Sequence, residues 1–252
     1  MPPNNHHTAK RRLLDQLRAK LARLERSDRG HQREVLPLDL AGIERVLPGG
    51  GLARGGLHEL HGEPDHGAAA GFAAALLGRF ASSGHVLWIV PRDDLFAPGL
   101  LELGLPPERL IVVAVRPRDA RLWALEEALR SPGLVAALAE VDQLTLTQSR
   151  RLQLAAEAKG GVALLLRPTR AAEAPSAALT RWRISSDPSV SRPDGGRREL
   201  GAPRWRVELF RCRGGRTGTW QIEWRKEGWH EITHPVPLVA SSGDRSDQAQ
   251  SA

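Results

Sequence analysis

Residues 55–70 read Gly-Gly-Leu-His-Glu-Leu-His-Gly-Glu-Pro-Asp-His-Gly-Ala-Ala-Ala, and this stretch decides the fold. Its first six residues alternate as a short strand, and the alanine-rich segment from 68 to 81 favours a helix. Between the two, Gly62 and Gly67 hold the glycine positions of the phosphate-binding pattern G-x-x-x-x-G-K-S/T. We therefore predict a strand, a glycine loop and a helix in the order of a nucleotide-binding site.

This loop lacks the side chains that act on a nucleotide. Ala68 and Ala69 stand where the pattern has lysine and Ser/Thr. The lysine neutralises the β- and γ-phosphates and the hydroxyl binds Mg²⁺, and a methyl group does neither. We expect no catalytic residues, no ATPase activity and no cofactor, while weak nucleotide binding through backbone N–H groups at the helix start stays an alternative.

The chain after the loop alternates between apolar runs and helical patterns. We predict strands at 86–90, 110–114, 134–139 and 162–166, and helices at 97–103, 118–129 and 147–159. Strands that alternate with helices of this length indicate an α/β fold whose mostly parallel sheet carries helices on both faces.

The C-terminal region predicts an antiparallel hairpin. Residues 204–213 alternate, a glycine-rich turn follows, and residues 220–224 alternate again. Arg204 and Arg206 share the face opposite Trp205. Two interpretations stay open for the tryptophans, either core packing or stacking on the bases of a single strand.

The N-terminal arm predicts an amphipathic helix from about residue 8 to residue 26. Leu14, Leu17, Leu21 and Leu24 recur at helical spacing and form its apolar stripe. Two heptads are too few for an independent coiled coil, so the stripe needs a surface. That surface is either the core of this chain or a partner, and both remain open.

Positive charge is concentrated near both ends of the chain. The net charge is +7, residues 1–33 carry +6, residues 181–226 carry +7, and the remaining residues carry −6. Basic segments favour nucleic acid or an acidic protein, although they are equally typical of solvated surfaces. Residues 185–203 have the composition of a flexible loop. Its position before the hairpin resembles that of a DNA-contacting loop in RecA-type proteins, and this resemblance makes Arg192, Arg197 and Arg198 candidate contacts with nucleic acid or a partner, unless the segment is only a connector.

Composition limits the other classes of function. No apolar run approaches the about 18 residues of a membrane span, which predicts a cytoplasmic protein without membrane contact. Cys212 is the only cysteine, and the histidine spacings match no zinc site, so we predict no metal. We expect an arm at 1–34, a core at 35–184, a basic loop at 185–203, a hairpin completing the core at 204–230, and a disordered tail at 231–252.

The order of these segments resembles two related families. Residues 47–62, a glycine-rich turn followed by a strand and the loop, are similar to the approach to the nucleotide site in RecA-type recombinases, which implies a RecA-like core. Residues 87–95, Leu-Trp-Ile-Val-Pro-Arg-Asp-Asp-Leu, and residues 149–157, Ser-Arg-Arg-Leu-Gln-Leu-Ala-Ala-Glu, resemble the ImuA family. The ImuA resemblance covers about residues 10–230.

The RecA resemblance places the remaining ATPase positions. The glutamate that activates the attacking water falls on Arg92, and the aspartate that holds Mg²⁺ falls near Glu140. An arginine cannot act as a base at physiological pH. The resemblance therefore implies a degenerate site in which only Glu140 keeps a carboxylate.

The ImuA resemblance also implies a function. It implies a non-catalytic accessory protein of damage-induced translesion DNA synthesis, with an ImuB-like Y-family protein as partner, RecA as a further partner, an error-prone replicative-type polymerase as an indirect one, and weak DNA contact. A SulA-like inhibitor of cell division is an alternative, since that family shares a RecA-like core without nucleotide chemistry. An active recombinase-type ATPase is a third reading.

Overall fold

The computed structural model describes residues 34–62, 67–189, 201–226 and 228–232, together with the backbone at 193–194 and 197–198. The predicted N-terminal helix with its leucine stripe, Arg192 and the predicted tail beyond residue 232 lie outside the described residues.

The described residues form one large mixed sheet and two small two-stranded ones. In chain order the strands are β1 (Val35–Leu36), β2 (Leu52–Ala53), β3 (Gly56–Gly62), β4 (His85–Val90), β5 (Leu110–Ala114), β6 (Leu134–Glu140), β7 (Val162–Pro168), β8 (Thr180–Ser186), β9 (Pro193–Asp194), β10 (Arg197–Arg198), β11 (Arg204–Cys212), β12 (Gly218–Arg225) and β13 (Gly228–Glu231). The large sheet has the order β13-β12-β11-β8-β3-β7-β6-β4-β5. Its six strands from β8 to β5 are parallel, and β11, β12 and β13 extend it as antiparallel strands.

Helices accompany this sheet. They are α1 (Ala41–Glu44), α2 (Gly67–Ala81), α3 (Arg118–Arg130) and α4 (Leu146–Lys159), with short 3-10 helices at Pro48–Gly50, Ala97–Leu103, Pro107–Arg109 and Thr169–Ala171. Thr145 and Gln148 form a capping box at the start of α4, and Gly160 ends that helix in the left-handed conformation at φ 73°. None of the helices in the described part of the chain is long and apolar enough to cross a membrane.

Two apolar clusters of described residues lie on opposite faces of the sheet. The larger joins α2 to alternate residues of the strands, including Leu60, Trp88 and Val207. The smaller joins α3 and α4 to the strand residues that point to the opposite face, such as Leu57 and Ile89. The alternation follows the period of two along each strand, so a strand that is buried on both faces is apolar throughout.

The α/β class and the mostly parallel sheet predicted from the sequence are confirmed. Most predicted elements agree with the structure to within two residues, but the sequence pattern did not reveal β8. Arg181 and Arg183 alternate with Trp182 and Ile184 in this strand, and the charged residues, of which Arg181 is buried, hide the apolar pattern. Since β8 continues to Ser186, the strand also overlaps the start of the loop predicted at 185–203.

Candidate functional site

The glycine loop follows β3, the central strand of the nine-stranded sheet. β3 pairs in parallel with both β7 and β8, and Gly62 lies opposite Pro168 and Ile184 at its end. The Thr169 hydroxyl donates a hydrogen bond to the Gly62 carbonyl oxygen. The helix α2 begins at Gly67, while residues 63–66 of the loop lie outside the described part. In open parallel sheets, ligands bind at the carboxyl ends of the strands, which is where this loop lies.

Methyl groups occupy the two positions that would contact phosphate and Mg²⁺. Ala69 is fully buried in the apolar cluster beneath α2, and Ala68 packs against the same cluster as a half-buried residue. Gly67 is exposed, and a Cβ built on it meets no described atom within 4 Å. The surroundings of Ala69 are those of core packing, where a hydroxyl would need a hydrogen-bond partner.

Glu140 and Arg92, the other two positions taken from the RecA resemblance, also lie at the carboxyl ends of parallel strands. Glu140 ends β6, and its Oε1 accepts a hydrogen bond from the Trp88 indole Nε1 at 3.0 Å. Arg92 follows β4, and its Nε donates to Asp94 Oδ2 at 3.1 Å in an exposed ion pair. A carboxylate therefore ends β6 and a guanidinium group follows β4, at the positions to which the RecA resemblance assigns the metal ligand and the base.

A buried arginine that the sequence did not single out fixes the neighbouring strand ends. Arg121 of α3 donates from Nε to the Glu140 carbonyl oxygen at 2.9 Å, and from Nη1 to the carbonyl oxygens of Val115 and Arg116. These carbonyl groups lie at or just beyond the carboxyl ends of β5 and β6. The guanidinium group of Arg121 thus binds backbone carbonyl oxygens instead of a carboxylate. Because arginine is common on helix surfaces, the sequence alone offered no indication of this role.

A buried ionic cluster lies directly behind the loop. Glu59, three residues before Gly62, is fully buried, and its Oε2 accepts hydrogen bonds from Arg167 Nη1 at 3.1 Å and Arg181 Nε at 2.9 Å. The same oxygen lies 3.0 Å from His61 Nε2, and Oε1 accepts from the Ser176 hydroxyl at 2.5 Å. We call these five residues the Glu59 cluster.

The Glu59 cluster keeps a charge inside the protein. Burial alone would raise the pKa of Glu59, but the hydrogen bonds from His61 and Ser176 and the charges of Arg167 and Arg181 lower it to about 2. The carboxylate is thereby ionised at neutral pH and joins β3 to β7 and β8. The sequence contained one sign of this cluster, a glutamate within a predicted strand. The arginine partners of Glu59 are 108 and 122 residues away, so the pairing could not be read from local sequence.

An aromatic ring continues this cluster toward the surface. The guanidinium groups of Arg181 and Arg183 lie 5.3 and 5.1 Å from the centre of the Phe210 ring. The ring of His61 meets Phe210 edge to face at 5.5 Å. Arg183 also pairs with Glu208 at 2.5 Å, so its charge is compensated.

The candidate contact arginines differ in whether their side chains already pair with a carboxylate. Arg204 pairs with Glu223, whose pKa is lowered because Arg225 and Arg204 outweigh the effect of burial. Arg206 is exposed, and no described carboxylate lies within ion-pair distance. Arg197 and Arg198 form β10, which pairs with β9. Of the two candidate contact arginines whose side chains are described, Arg206 is therefore the one whose guanidinium group is exposed.

Trp205, the tryptophan of the first hairpin strand, faces inward. Trp205 is buried and meets Phe72 edge to face at a ring distance of 6.0 Å and Trp229 at 6.3 Å. A ring in this environment contributes to the core. Stacking of a nucleic-acid base on Trp205 would require the core to open.

Comparison with known proteins gives one clear relationship. No protein-family model matches the chain. Curated proteins from two strains of Caulobacter vibrioides, NA1000 / CB15N and ATCC 19089 / CIP 103742 / CB 15, are each called Protein ImuA. Each is 44% identical to this chain over 233 residues, which covers 86% of this chain and 94% of the relative.

Proposed function

Because this chain belongs to the ImuA family, we propose that it is a non-catalytic adaptor in damage-induced mutagenic DNA synthesis. Its partner in this proposal is an ImuB-like Y-family protein, through which it associates with an error-prone polymerase. RecA is a further proposed partner. The core is proposed to be RecA-like, with a nucleotide loop that keeps its place in the sheet and has lost its chemistry.

The observation that supports the adaptor role is the replacement of three functional groups, the lysine, the metal-binding hydroxyl and the base, at the carboxyl ends of the parallel strands. Ala68 and Ala69 pack as methyl groups against the core beneath α2, and Arg92 is held in an ion pair with Asp94. Metal and charge-stabilising groups in phosphoryl transfer each contribute about 10³-fold or more to the rate. The combined loss of lysine, metal-binding hydroxyl and base removes turnover, which leaves binding as the function.

Phosphate release tests the absence of catalysis. The purified full-length chain is incubated with ATP and Mg²⁺, with and without single-stranded DNA, beside an active recombinase as positive control. We expect no phosphate release above the protein-free background. Release that DNA stimulates in the unmodified chain, and that Glu140→Gln abolishes, would contradict a non-catalytic role.

Co-purification tests the partner. We propose that the stripe of Leu14, Leu17, Leu21 and Leu24 contacts the ImuB-like protein, since the stripe needs an apolar surface. Leu17→Glu/Leu21→Glu should abolish co-purification. Ala19→Glu/Ala22→Glu adds the same charge to the rest of the predicted helix and should retain it. Equal retention by both variants would remove the stripe from the proposal, and failure of the unmodified chain to bind would contradict the partner itself.

DNA contact is proposed to be weak and to involve the basic loop and the hairpin face. Arg197, Arg198 and Arg206 are the candidate residues, whereas Arg204 is already paired with Glu223. Fluorescence anisotropy with a labelled single strand should show binding that falls steeply with salt and weakens in the triple alanine variant. Cell filamentation on expression without DNA damage would instead support the SulA-like alternative.

A further inference from the structure

The two edges of the large sheet differ in how they are protected. β13 carries His230 and Glu231, and the Glu231 carboxylate accepts a hydrogen bond from the backbone N–H of Gly42 at 3.0 Å, so α1 lies over that edge. β5 at the other edge reads Leu-Ile-Val-Val-Ala, with no charge and no proline. Among the described strands, only β4 pairs with it. Proteins usually protect such edges with charges, prolines or a covering segment.

The outward hydrogen-bonding groups of β5 can be identified from its pairing. Val115 N donates to Val90 O at 2.8 Å, so by the alternation along a strand Ile111 and Val113 also direct their N–H and C=O groups toward β4. Val112 and Ala114 therefore direct theirs outward, as does the carbonyl of Leu110. The N–H of Leu110 differs, because it donates to the Pro107 carbonyl.

Apolar side chains of β5 are exposed beside these outward backbone groups. Ile111 and Val113 are 44% and 36% exposed, although they lie on the face that α3 and α4 cover farther along the sheet. Contact with a second apolar strand would remove these two side chains from water. The edge thus offers both outward backbone groups and apolar surface to an extended strand.

The sequence around β5 is complementary to itself. If two copies pair antiparallel about a two-fold axis at Val112, Ile111 faces Val113 of the second copy and Leu110 faces its Ala114. Beyond the strand, Glu108 then lies toward Arg116 of the second copy at both ends of the interface. Glu108 and Arg116 are both exposed, and neither has an ion-pair partner in the described part of the chain.

We propose that two copies of this chain associate through antiparallel pairing of β5. Four backbone hydrogen bonds form, two between the Val112 residues and two from Ala114 N–H to Leu110 O, and they join the two sheets into one. The occupant is a second copy because apolar residues oppose apolar ones and opposite charges meet at both ends. The contact is smaller than the about 1,200 Å² of a standard interface, so the dimer is weak and reversible.

Sedimentation velocity over a wide range of concentrations tests this pairing. The full-length chain should shift from monomer to dimer at micromolar concentrations. Val112→Pro removes an outward N–H that has no backbone partner among the described residues, and proline is tolerated at such positions of edge strands. It should raise the dimer Kd about tenfold or more, while Val112→Thr, which keeps the N–H, should have little effect.

Charge reversal supplies a second test that does not depend on the folding of the proline variant. Glu108→Arg and Arg116→Glu should each weaken the dimer, and the double variant should restore it. A chain that stays monomeric at high micromolar concentration would overturn the proposal, as would a dimer insensitive to Val112→Pro or a double variant no stronger than the single ones. A further outcome would also overturn the pairing: the unmodified chain is monomeric, and Val112→Pro loses binding to another protein. In that case β5 would be the binding edge for that protein.

Discussion

Arg181 Nε donates a hydrogen bond to Glu59 Oε2 at 2.9 Å inside the protein, across 122 residues of sequence. Both side chains are almost completely buried, so neither charge is solvated by water. Their attraction, together with Arg167 and Ser176, fixes the positions of β3, β7 and β8 relative to one another. The strand that leads into the glycine loop is thereby held by ionic as well as apolar contacts.

Glu59→Gln should strongly destabilise the fold. The substitution leaves Arg167 and Arg181 buried without their counter-charge, and breaking a buried ion pair from one side costs about 3–5 kcal/mol. Urea denaturation measures the free energy of unfolding. Glu208→Gln provides the control, since the Glu208–Arg183 pair is partly exposed and such pairs contribute about 1 kcal/mol or less. Equal losses in the two variants would contradict a special role of the Glu59 cluster.

Stability should decrease in acid because of the same carboxylate. The pKa of Glu59 is about 2 in the folded state, below its ordinary value of 4.5, so the unfolded chain binds a proton more readily. The stabilisation is complete above about pH 4.5 and is lost as the pH falls toward 2. The free energy of unfolding, measured between these limits, should fall more steeply in the unmodified chain than in Glu59→Gln. Parallel pH profiles would argue against an ionised Glu59.

Gly78→Ala should destabilise the protein although alanine favours helices. A Cβ on Gly78 of α2 would lie 2.4 Å from the Gly104 carbonyl oxygen, so the helix and the segment that follows residues 97–103 would have to separate. Overpacking of this kind costs about 1–3 kcal/mol. Gly67→Ala at the exposed start of the same helix should have little effect. Thermal unfolding of both variants decides the comparison, and an unchanged midpoint for Gly78→Ala would contradict the close contact.

The Cys212 thiol should react slowly at neutral pH. Burial raises its pKa, although a hydrogen bond from the backbone of Gly215 acts in the opposite direction. Because the thiolate is the reactive form, modification by a disulfide reagent should be slower than for a free thiol at the same pH. The rate should rise as the pH increases and should approach that of a free thiol on unfolding. A rate equal to that of a free thiol in the folded protein would show that the thiol is accessible and ionises normally.

Apolar periodicity was sufficient to predict most of the fold. Strands such as Leu110–Ala114 and helices such as Arg118–Arg130 have patterns that local sequence determines. β8 was missed because it carries two arginines, of which the buried Arg181 is paired with Glu59, a residue distant in sequence. Such long-range pairing has no signature in a single sequence, and it also explains why the Glu59 cluster and the role of Arg121 came only from the structure.

From the sequence, the candidate site could be predicted only as a glycine loop that lacks its lysine and hydroxyl side chains. Gly62, Gly67, Ala68 and Ala69 indicated a loop without its chemistry, and the structure shows where those residues pack. What sequence could not supply was the environment of Glu140, whose carboxylate is bonded to the Trp88 indole. The pairing of Arg204 with Glu223 likewise depends on the register of β11 and β12.

The damage-induced mutation frequency of cells that lack this gene tests the central claim most directly. The unmodified chain should restore induced mutagenesis when it is supplied in trans. Gly62→Ala/Gly67→Ala should restore it equally if the variant protein accumulates to the same level, because the adaptor role uses no nucleotide. Induced mutagenesis that is unaffected by loss of the gene, or that is abolished by the glycine variant at normal protein level, would contradict the account.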